Sequence, residues 1–156
     1  MVRHSGGELT LDERFCWIDA RAFESRIERA RRDPRELDIA LALYRGAFLP
    51  QEEGVAWAAS TRERLRAKFI HAAGACGAAL EASNQHEAAI DLYLRGIEAD
   101  YLVEPFFQGL MRYYEKLDRR TEAISAYRRL REILSVTLGV MPSSATQRLY
   151  QTLRLG

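Results

Sequence analysis

Apolar residues recur at spacings of three and four along most of the chain, which is the pattern of helices that bury one face. This pattern predicts seven helices, and capping and breaking residues place their ends. Asp33 with Pro34 is a strong start signal for the second helix, and Gly139 followed by Pro142 ends the sixth. The predicted helices cover about residues 19–32, 33–45, 55–83, 86–99, 104–117, 121–138 and 144–155.

The N-terminal residues show a different pattern. Residues 8–11 alternate polar and apolar side chains, residues 15–19 are rich in strand formers, and residues 12–14 have the composition of a turn. We therefore predict a short N-terminal β-hairpin formed by these two segments. Two strands alone are marginally stable in water, so we expect the hairpin to pack on the helices or to belong to a sheet in a neighbouring domain.

A five-residue pattern occurs three times, at residues 40–44, 89–93 and 123–127. Each copy has alanine first, an aliphatic residue second and tyrosine fifth. The last two copies are 34 residues apart, the length of one helix-turn-helix unit in tetratricopeptide (TPR) arrays. Aligning them sets Leu80 over Tyr114 and Tyr93 over Tyr127, at positions where antiparallel helices would face each other.

The repeat therefore predicts the fold class. We expect an all-α fold, a TPR-like right-handed array of about seven antiparallel helices, with the short β-hairpin before it. The first copy of the pattern, at residues 40–44, has no partner helix at the TPR spacing. That irregular first unit distinguishes the chain from a plain TPR array.

Composition limits the function classes. The chain has 156 residues with 23 Lys plus Arg and 22 Asp plus Glu, a near balance that argues against a domain that binds nucleic acid mainly through phosphate contacts. No apolar run approaches the roughly 20 residues that a membrane-spanning helix needs, so we expect no membrane partner. The N-terminus lacks the apolar core of a signal peptide, which predicts a cytoplasmic location.

No residue pattern points to catalysis, a cofactor or a metal. Cys16 and Cys76 lie 60 residues apart without a CxxC motif or a paired histidine, so neither a zinc site nor a disulfide framework is indicated. His71 is followed by small residues on a predicted packed helix, which favours a histidine on a helix face over a base or a metal ligand. We therefore predict that the chain is not an enzyme and holds no cofactor or metal.

Several segments together resemble the bacterial transcriptional activator domain family. They are residues 17–19 with Phe23, residues 40–46, and residues 123–131 followed by 138–143, where an Ala-x-x-x-Tyr-Arg-Arg-Leu-Arg helix runs into Leu-Gly-Val-x-Pro-Ser. The resemblance covers about residues 8–155 and implies an all-helical, TPR-like domain beside a DNA-binding domain. It implies that residues 1–19 are a linker to a DNA-binding domain absent from this chain, and that residues 20–156 are the TPR-like domain.

The resemblance also implies a role in signal relay, self-association or contact with the transcription machinery. The leading hypothesis is a non-catalytic interaction domain of a bacterial transcription regulator. It would bind a protein partner or form a homodimer, and would contact DNA only through the absent domain. Two alternatives stay open: a generic TPR adaptor that binds a peptide, and a sensor domain that holds a small ligand.

Partner-binding residues follow from the TPR register, in which the first helix of each unit lines the concave face. The register places there four polar residues whose mixed charge suits a protein segment: Gln108, Arg112, Glu115 and Lys116. The alternative site, for an anion or the flank of a DNA duplex, is a basic cluster on the next helix: Arg128, Arg129 and Arg131.

The same register leaves three aromatic residues without an inter-helix contact. They are Tyr101, Phe106 and Tyr113, which are the candidates for an exposed aromatic surface. An exposed aromatic cluster would mark a partner site.

Overall fold

The computed structural model describes residues 2–5, 8–11, 18–30, 32–33, 35–52 and 54–155. In this part of the chain seven helices follow two short strands. The strands are β1 (Val2–Ser5) and β2 (Glu8–Leu11). The helices are α1 (Asp19–Ala30), α2 (Arg35–Leu43), α3 (Ala56–Ala82), α4 (His86–Ala99), α5 (Glu104–Lys116), α6 (Arg120–Leu138) and α7 (Ser144–Leu155).

The predicted β-hairpin is not confirmed. β2 pairs antiparallel with β1, with Val2 opposite Leu11 and Ser5 opposite Glu8, whereas residues 15–17 of the second predicted strand lie outside the described residues. Asp19 begins α1, and residues 12–17 lie outside the described residues. The sequence between β1 and β2 is Gly-Gly, a composition typical of two-residue hairpin loops, and the prediction overlooked it.

The helices form the predicted TPR-like array, in which each helix packs mainly on its neighbours along the chain. α1 packs on α2, α3 on α4, and α5 packs against α4, α6 and α7. α1 is therefore the partner helix of the first motif copy, which the spacing alone did not reveal. The long connection between α2 and α3 displaces this first unit from the regular spacing. The right hand of the array stays a prediction.

The 34-residue repeat is visible in the turns between helices. Asn84 after α3 and Asp118 after α5 both have positive φ, at 56° and 57°. The next residue in each turn donates its backbone N–H to a carbonyl five residues earlier, from Gln85 to Leu80 at 2.9 Å and from Arg119 to Tyr114 at 2.7 Å. Asn and Asp tolerate this left-handed conformation better than most residues, and the two bonds satisfy carbonyls that a helix end leaves free.

Each motif tyrosine joins its unit to the next odd-numbered helix. Tyr44 stacks on Phe69 of α3 with ring centroids 4.2 Å apart, and Tyr127 stacks on Tyr150 of α7 at 3.9 Å. Tyr93 enters a slot between Gly77 of α3 and Gly109 of α5, where a Cβ atom on either glycine would collide with the tyrosine. Tyr93 and Tyr127 therefore form the contacts between helices that the repeat predicted, and Tyr44 forms an equivalent contact.

Candidate interaction surfaces

Polar side chains link successive odd-numbered helices, and we call the surface shared by α1, α3, α5 and α7 the odd-helix face. Between α1 and α3, the carboxylate of Glu24 accepts a hydrogen bond from Lys68 Nζ at 2.6 Å and also pairs with Arg64. The contact is partly exposed, so it contributes little to stability. It links two helices that α2 separates along the chain.

The link between α3 and α5 has a buried part and an exposed part. The hydroxyl of Tyr113 donates to the backbone carbonyl of Gly77 at 2.9 Å, and burial raises the pKa of Tyr113 to about 12. At the surface, Lys116 pairs with Glu81, and its ammonium lies 5.7 Å from the centroid of the Tyr113 ring. The hydrogen bond from Lys116 holds the pKa of Glu81 below its usual value.

The link between α5 and α7 is a cluster of four polar residues. Glu104 accepts hydrogen bonds from the Ser143 backbone N–H at 2.8 Å, from the Ser143 hydroxyl and from the hydroxyl of the fully buried Thr146. Gln108 Nε2 donates to Thr146 Oγ1 at 2.7 Å. Burial alone would raise the pKa of Glu104, but the donors from Ser143 and Thr146 outweigh it, and the pKa lies below its usual value.

The structure therefore divides the four residues predicted on α5. Gln108 holds α7 and Lys116 holds α3, so both are engaged in contacts between helices. Arg112 and Glu115 are exposed one turn apart, and neither forms an ion pair with any residue that the structure describes. These two remain the partner-binding candidates on the odd-helix face.

The prediction of an exposed aromatic cluster is wrong for two of its three members. Phe106 and Tyr113 are 1% and 3% exposed, whereas Tyr101 is 49% exposed. Phe106 contacts the rings of Phe69 and Tyr93, with centroids 5.7 and 6.1 Å away. α5 has helices on three sides, so its aromatic residues outside the repeat motif are also buried.

The predicted basic cluster on α6 is exposed. Arg128, Arg129 and Arg131 form no ion pair within the described ranges. The preceding acidic residue, Glu122, is held by Arg119 through a hydrogen bond of 2.9 Å. The three guanidinium groups are therefore available to an anionic group on a partner.

One surface was not identified from the sequence. It surrounds the irregular connection between α2 and α3, where Arg62 of α3 donates to the backbone carbonyls of Phe48 at 3.0 Å and Leu49 at 2.9 Å. Trp57 is 61% exposed beside Phe48, and a cavity of about 390 Å³ lies under the connection. The connection itself, from Tyr44 to Pro50, lines most of this cavity, and the helices add apolar residues that include Phe23, Leu43 and Leu65. Phe48 and Leu49 are apolar residues in a predicted loop, and this feature of the sequence could have indicated the surface.

The described residues contain no group of three His, Cys, Asp or Glu side chains placed to hold a metal ion. Cys76 is half-buried, and burial raises the pKa of its thiol, which lowers the thiolate fraction that a nucleophile requires. No helix within those ranges is both long and apolar enough to cross a membrane.

Comparisons with known proteins agree with this architecture. A family model described as "Bacterial transcriptional activator domain" matches residues 18–154. A solved structure described as Mycobacterium tuberculosis EmbR in complex with a low affinity phosphopeptide is similar, with a TM-score of 0.65 and 22% sequence identity. The similarity covers 94% of this chain and 40% of that one, so this chain spans about two fifths of the length of the EmbR chain. At this identity the likeness shows a shared fold. No curated protein matches the sequence significantly.

Proposed function

The chain belongs to the bacterial transcriptional activator domain family, and we propose from this membership that it is the non-catalytic interaction domain of a bacterial transcription regulator. The observation that carries the proposal is the span of the family match, which runs from residue 18 to residue 154 and covers the described helices except the last residue of α7. The domain would couple binding of a partner, or self-association, to the activity of a DNA-binding part.

The links on the odd-helix face supply a physical route for this coupling. Each link joins two successive odd-numbered helices, and most of the paired side chains are partly exposed. Exposed ion pairs typically contribute about 0 to 1 kcal/mol. Rearranging Glu24 with Lys68 or Glu81 with Lys116 therefore costs little, whereas the buried bonds of Tyr113 and Thr146 limit how far the angle changes. A partner that contacts two odd helices would favour one angle over others, provided that it binds the two arrangements with different affinity.

We propose a protein segment as the partner class on this face. The similar EmbR structure contains a phosphopeptide, and the exposed pair Arg112 and Glu115 offers one group of each charge. A pair of opposite charges suits the mixed polar groups of a peptide better than a uniformly anionic backbone.

The test replaces Arg112 and Glu115 together by alanine in the full-length regulator and measures transcription from its target promoter in a reporter strain. We expect reporter output to fall while binding of the purified protein to promoter DNA is retained. The matched control is Asp91→Ala, an exposed acidic residue on α4. Unchanged reporter output, or a large loss of thermal stability in the double variant, would contradict the assignment of this surface.

We also propose that residues 1–19 link this domain to a DNA-binding domain. The codons upstream of Met1 in the gene test this directly, and an independent start site there would remove the linker assignment. Light scattering over a range of protein concentrations tests self-association. If the chain is a monomer at every concentration, self-association is excluded and binding of a different protein remains as the proposed signal.

The alternative of a small-ligand sensor has one observation in its favour. The cavity of about 390 Å³ between α1 and the α2–α3 connection lies within the size range of roughly 300–1,000 Å³ that is usual for ligand pockets. Leu65→Trp would fill part of it from α3. If the protein is a sensor, this variant abolishes ligand-dependent changes in reporter output; if it is an interaction domain, output is retained.

A further inference from the structure

The last two helices carry a local excess of positive charge that the overall composition conceals. Residues 120–155 contain six arginines and two glutamates, whereas the whole chain has a net charge of only +1. The arginines are Arg120, Arg128, Arg129, Arg131, Arg148 and Arg154. Because one of the two glutamates, Glu122, is paired with Arg119, it does not neutralise them. The α6–α7 end of the array is therefore a cationic surface.

The stacked tyrosines place arginines of both helices around one seam. The rings of Tyr127 and Tyr150 lie 3.9 Å apart and within 5° of parallel, which fixes α6 against α7. The guanidinium of Arg154 is 5.9 Å from the centroid of the Tyr150 ring. Arg131 lies one helical turn beyond Tyr127, on the same side of α6. Arginine recognises carboxylates in a bidentate geometry, so this seam suits an acidic group.

Exposed apolar residues continue this surface. Val136 and Leu138 at the end of α6 are 81% and 54% exposed, and Val140 and Met141 in the following connection are 48% and 56% exposed. Leu138 is seven residues after Arg131, and therefore lies two turns further along the same face of the helix. Val136 lies on a different side of α6 from Leu138 and is not part of this face. Scattered apolar residues on a surface need no explanation, but Leu138, Val140 and Met141 follow one another closely along the chain near unpaired arginines and indicate a binding surface of mixed character.

We propose that this surface binds an acidic amphipathic protein segment. Its carboxylates would pair with Arg128 and Arg131, and its apolar side chains would cover Leu138 and Met141. The inference rests on the proposed function and specifies the chemistry of one partner. A duplex DNA is less well matched, because a phosphate backbone cannot cover apolar side chains and Glu132 lies within the arginine group.

The test is direct binding of labelled synthetic peptides to the purified chain, measured by fluorescence anisotropy. The probe is a short helical peptide with one face of Asp and Glu and one face of Leu and Phe. One control peptide has Asn and Gln in place of the acids, and a second has Ser in place of the apolar residues. We expect binding of the probe that weakens with added salt, and much weaker binding of both controls.

Variants of the chain then locate the site. Arg128→Gln with Arg131→Gln should weaken binding roughly two- to thirtyfold, as expected for losing two exposed charge pairs. Leu138→Ser should also weaken it, with less change in salt dependence. Arg45→Gln is the matched control, because Arg45 is an exposed arginine at the other end of the array with no ion pair in the described part of the chain. Circular dichroism checks that each variant is folded.

Several outcomes would overturn the inference. The first is that the probe peptide does not bind, and the second is that it binds the Arg128 and Arg131 double variant as tightly as the wild type. The third is that duplex DNA or anionic lipid vesicles bind more tightly than the probe peptide through the same arginines. Loss of self-association in Leu138→Ser would assign the surface to a second copy of the chain instead. None of these results bears on the reporter test of Arg112 and Glu115, so failure here is distinguishable from failure of the proposed function.

Discussion

Replacing Gly109 with alanine should destabilise the array, because the new methyl group has no room. An ideal Cβ at this position lies 2.5 Å from Cε2 and 2.6 Å from Cζ of Tyr93, whereas Cβ atoms essentially never come closer than 3.0 Å to another heavy atom. The ring cannot simply move away. On its other side is Gly77, and the Tyr93 ring is already 2.8 Å, at Cζ, from the position that a Cβ of residue 77 would occupy.

Two opposing contributions set the magnitude. Helix propensity alone favours alanine over glycine by about 1 kcal/mol in a helix interior. Forcing an extra methyl group into a filled site typically costs about 1 to 3 kcal/mol and at times more. Because a rigid ring is held from both sides, we expect the cost at the upper end of that range and a net destabilisation of about 1 to 2 kcal/mol. In a chain of this length, that change lowers the Tm by roughly 2 to 8 °C.

Thermal and urea denaturation of three purified variants measures the effect. Gly109→Ala and Gly77→Ala are the test variants, and Gly74→Ala in α3 is the matched control, because a Cβ at residue 74 meets nothing within 4 Å. The control should be more stable than the wild type by about 0.5 to 1 kcal/mol. If Gly109→Ala is as stable as Gly74→Ala, the Tyr93 ring does not fill the space beside Gly109.

A double-mutant cycle with Tyr93→Phe separates the two walls of the slot. The tyrosine hydroxyl is the atom nearest to a Cβ at residue 77, whereas ring carbons are nearest to a Cβ at residue 109. Removing the hydroxyl should therefore recover part of the loss in Gly77→Ala and almost none of the loss in Gly109→Ala. Equal recovery in both backgrounds would show that the ring is oriented differently.

Three further predictions concern the links on the odd-helix face. Thr146→Val should lower the free energy of unfolding by about 1 to 3 kcal/mol, because it removes the hydrogen bonds that the fully buried Thr146 hydroxyl forms with the half-buried Glu104 and Gln108. The exposed Thr152→Val should change it little, and urea denaturation compares the two variants. The pKa of Glu104 is lowered in the folded chain, so the stabilisation from its ionised carboxylate is present above the pKa that Glu104 has in the unfolded chain and is lost as pH falls through the folded value. Glu104→Gln should therefore flatten the acid limb of a profile of stability against pH. The raised pKa of Tyr113 acts in the opposite sense. Its contribution to stability is complete below the ordinary tyrosine pKa of about 10 and is lost as pH rises towards about 12. Tyr113→Phe should remove the step at high pH from an absorbance titration of tyrosinate.

The helices could be predicted from the sequence because their signals are local. Periodicity gave seven segments, and breaking residues placed their ends within a few positions of the observed ones. The 34-residue repeat located equivalent turns, since Asn84 and Asp118 adopt the same left-handed conformation with the same hydrogen bond. Tyr93 and Tyr127 were placed correctly between packed helices for the same reason, because a pattern that recurs at a fixed period must occupy equivalent places in the fold.

The surface could be predicted only in part, because exposure depends on helices that are distant in sequence. The register placed Gln108 on the first helix of its unit, but it could not show that α7 closes over that residue and accepts its hydrogen bond through Thr146. Likewise Tyr113 lies outside the repeat motif, yet it reaches the carbonyl of Gly77 on α3. The residues next to a polar or aromatic side chain in the sequence are the same whether that side chain contacts solvent or a helix distant in sequence.

Charge shows most clearly why composition alone was a weak guide to partners. The acidic residues of the odd-helix face are largely engaged within the fold: Glu24 by Lys68 and Arg64, and Glu81 by Lys116. The arginines of α6 have no such partners among the described residues, so the nearly neutral chain presents an uncompensated cationic surface at one end. A near balance of Lys plus Arg with Asp plus Glu therefore argues only against a uniformly charged partner. The relevant quantity for recognition is the charge that the folded chain leaves unpaired on each surface.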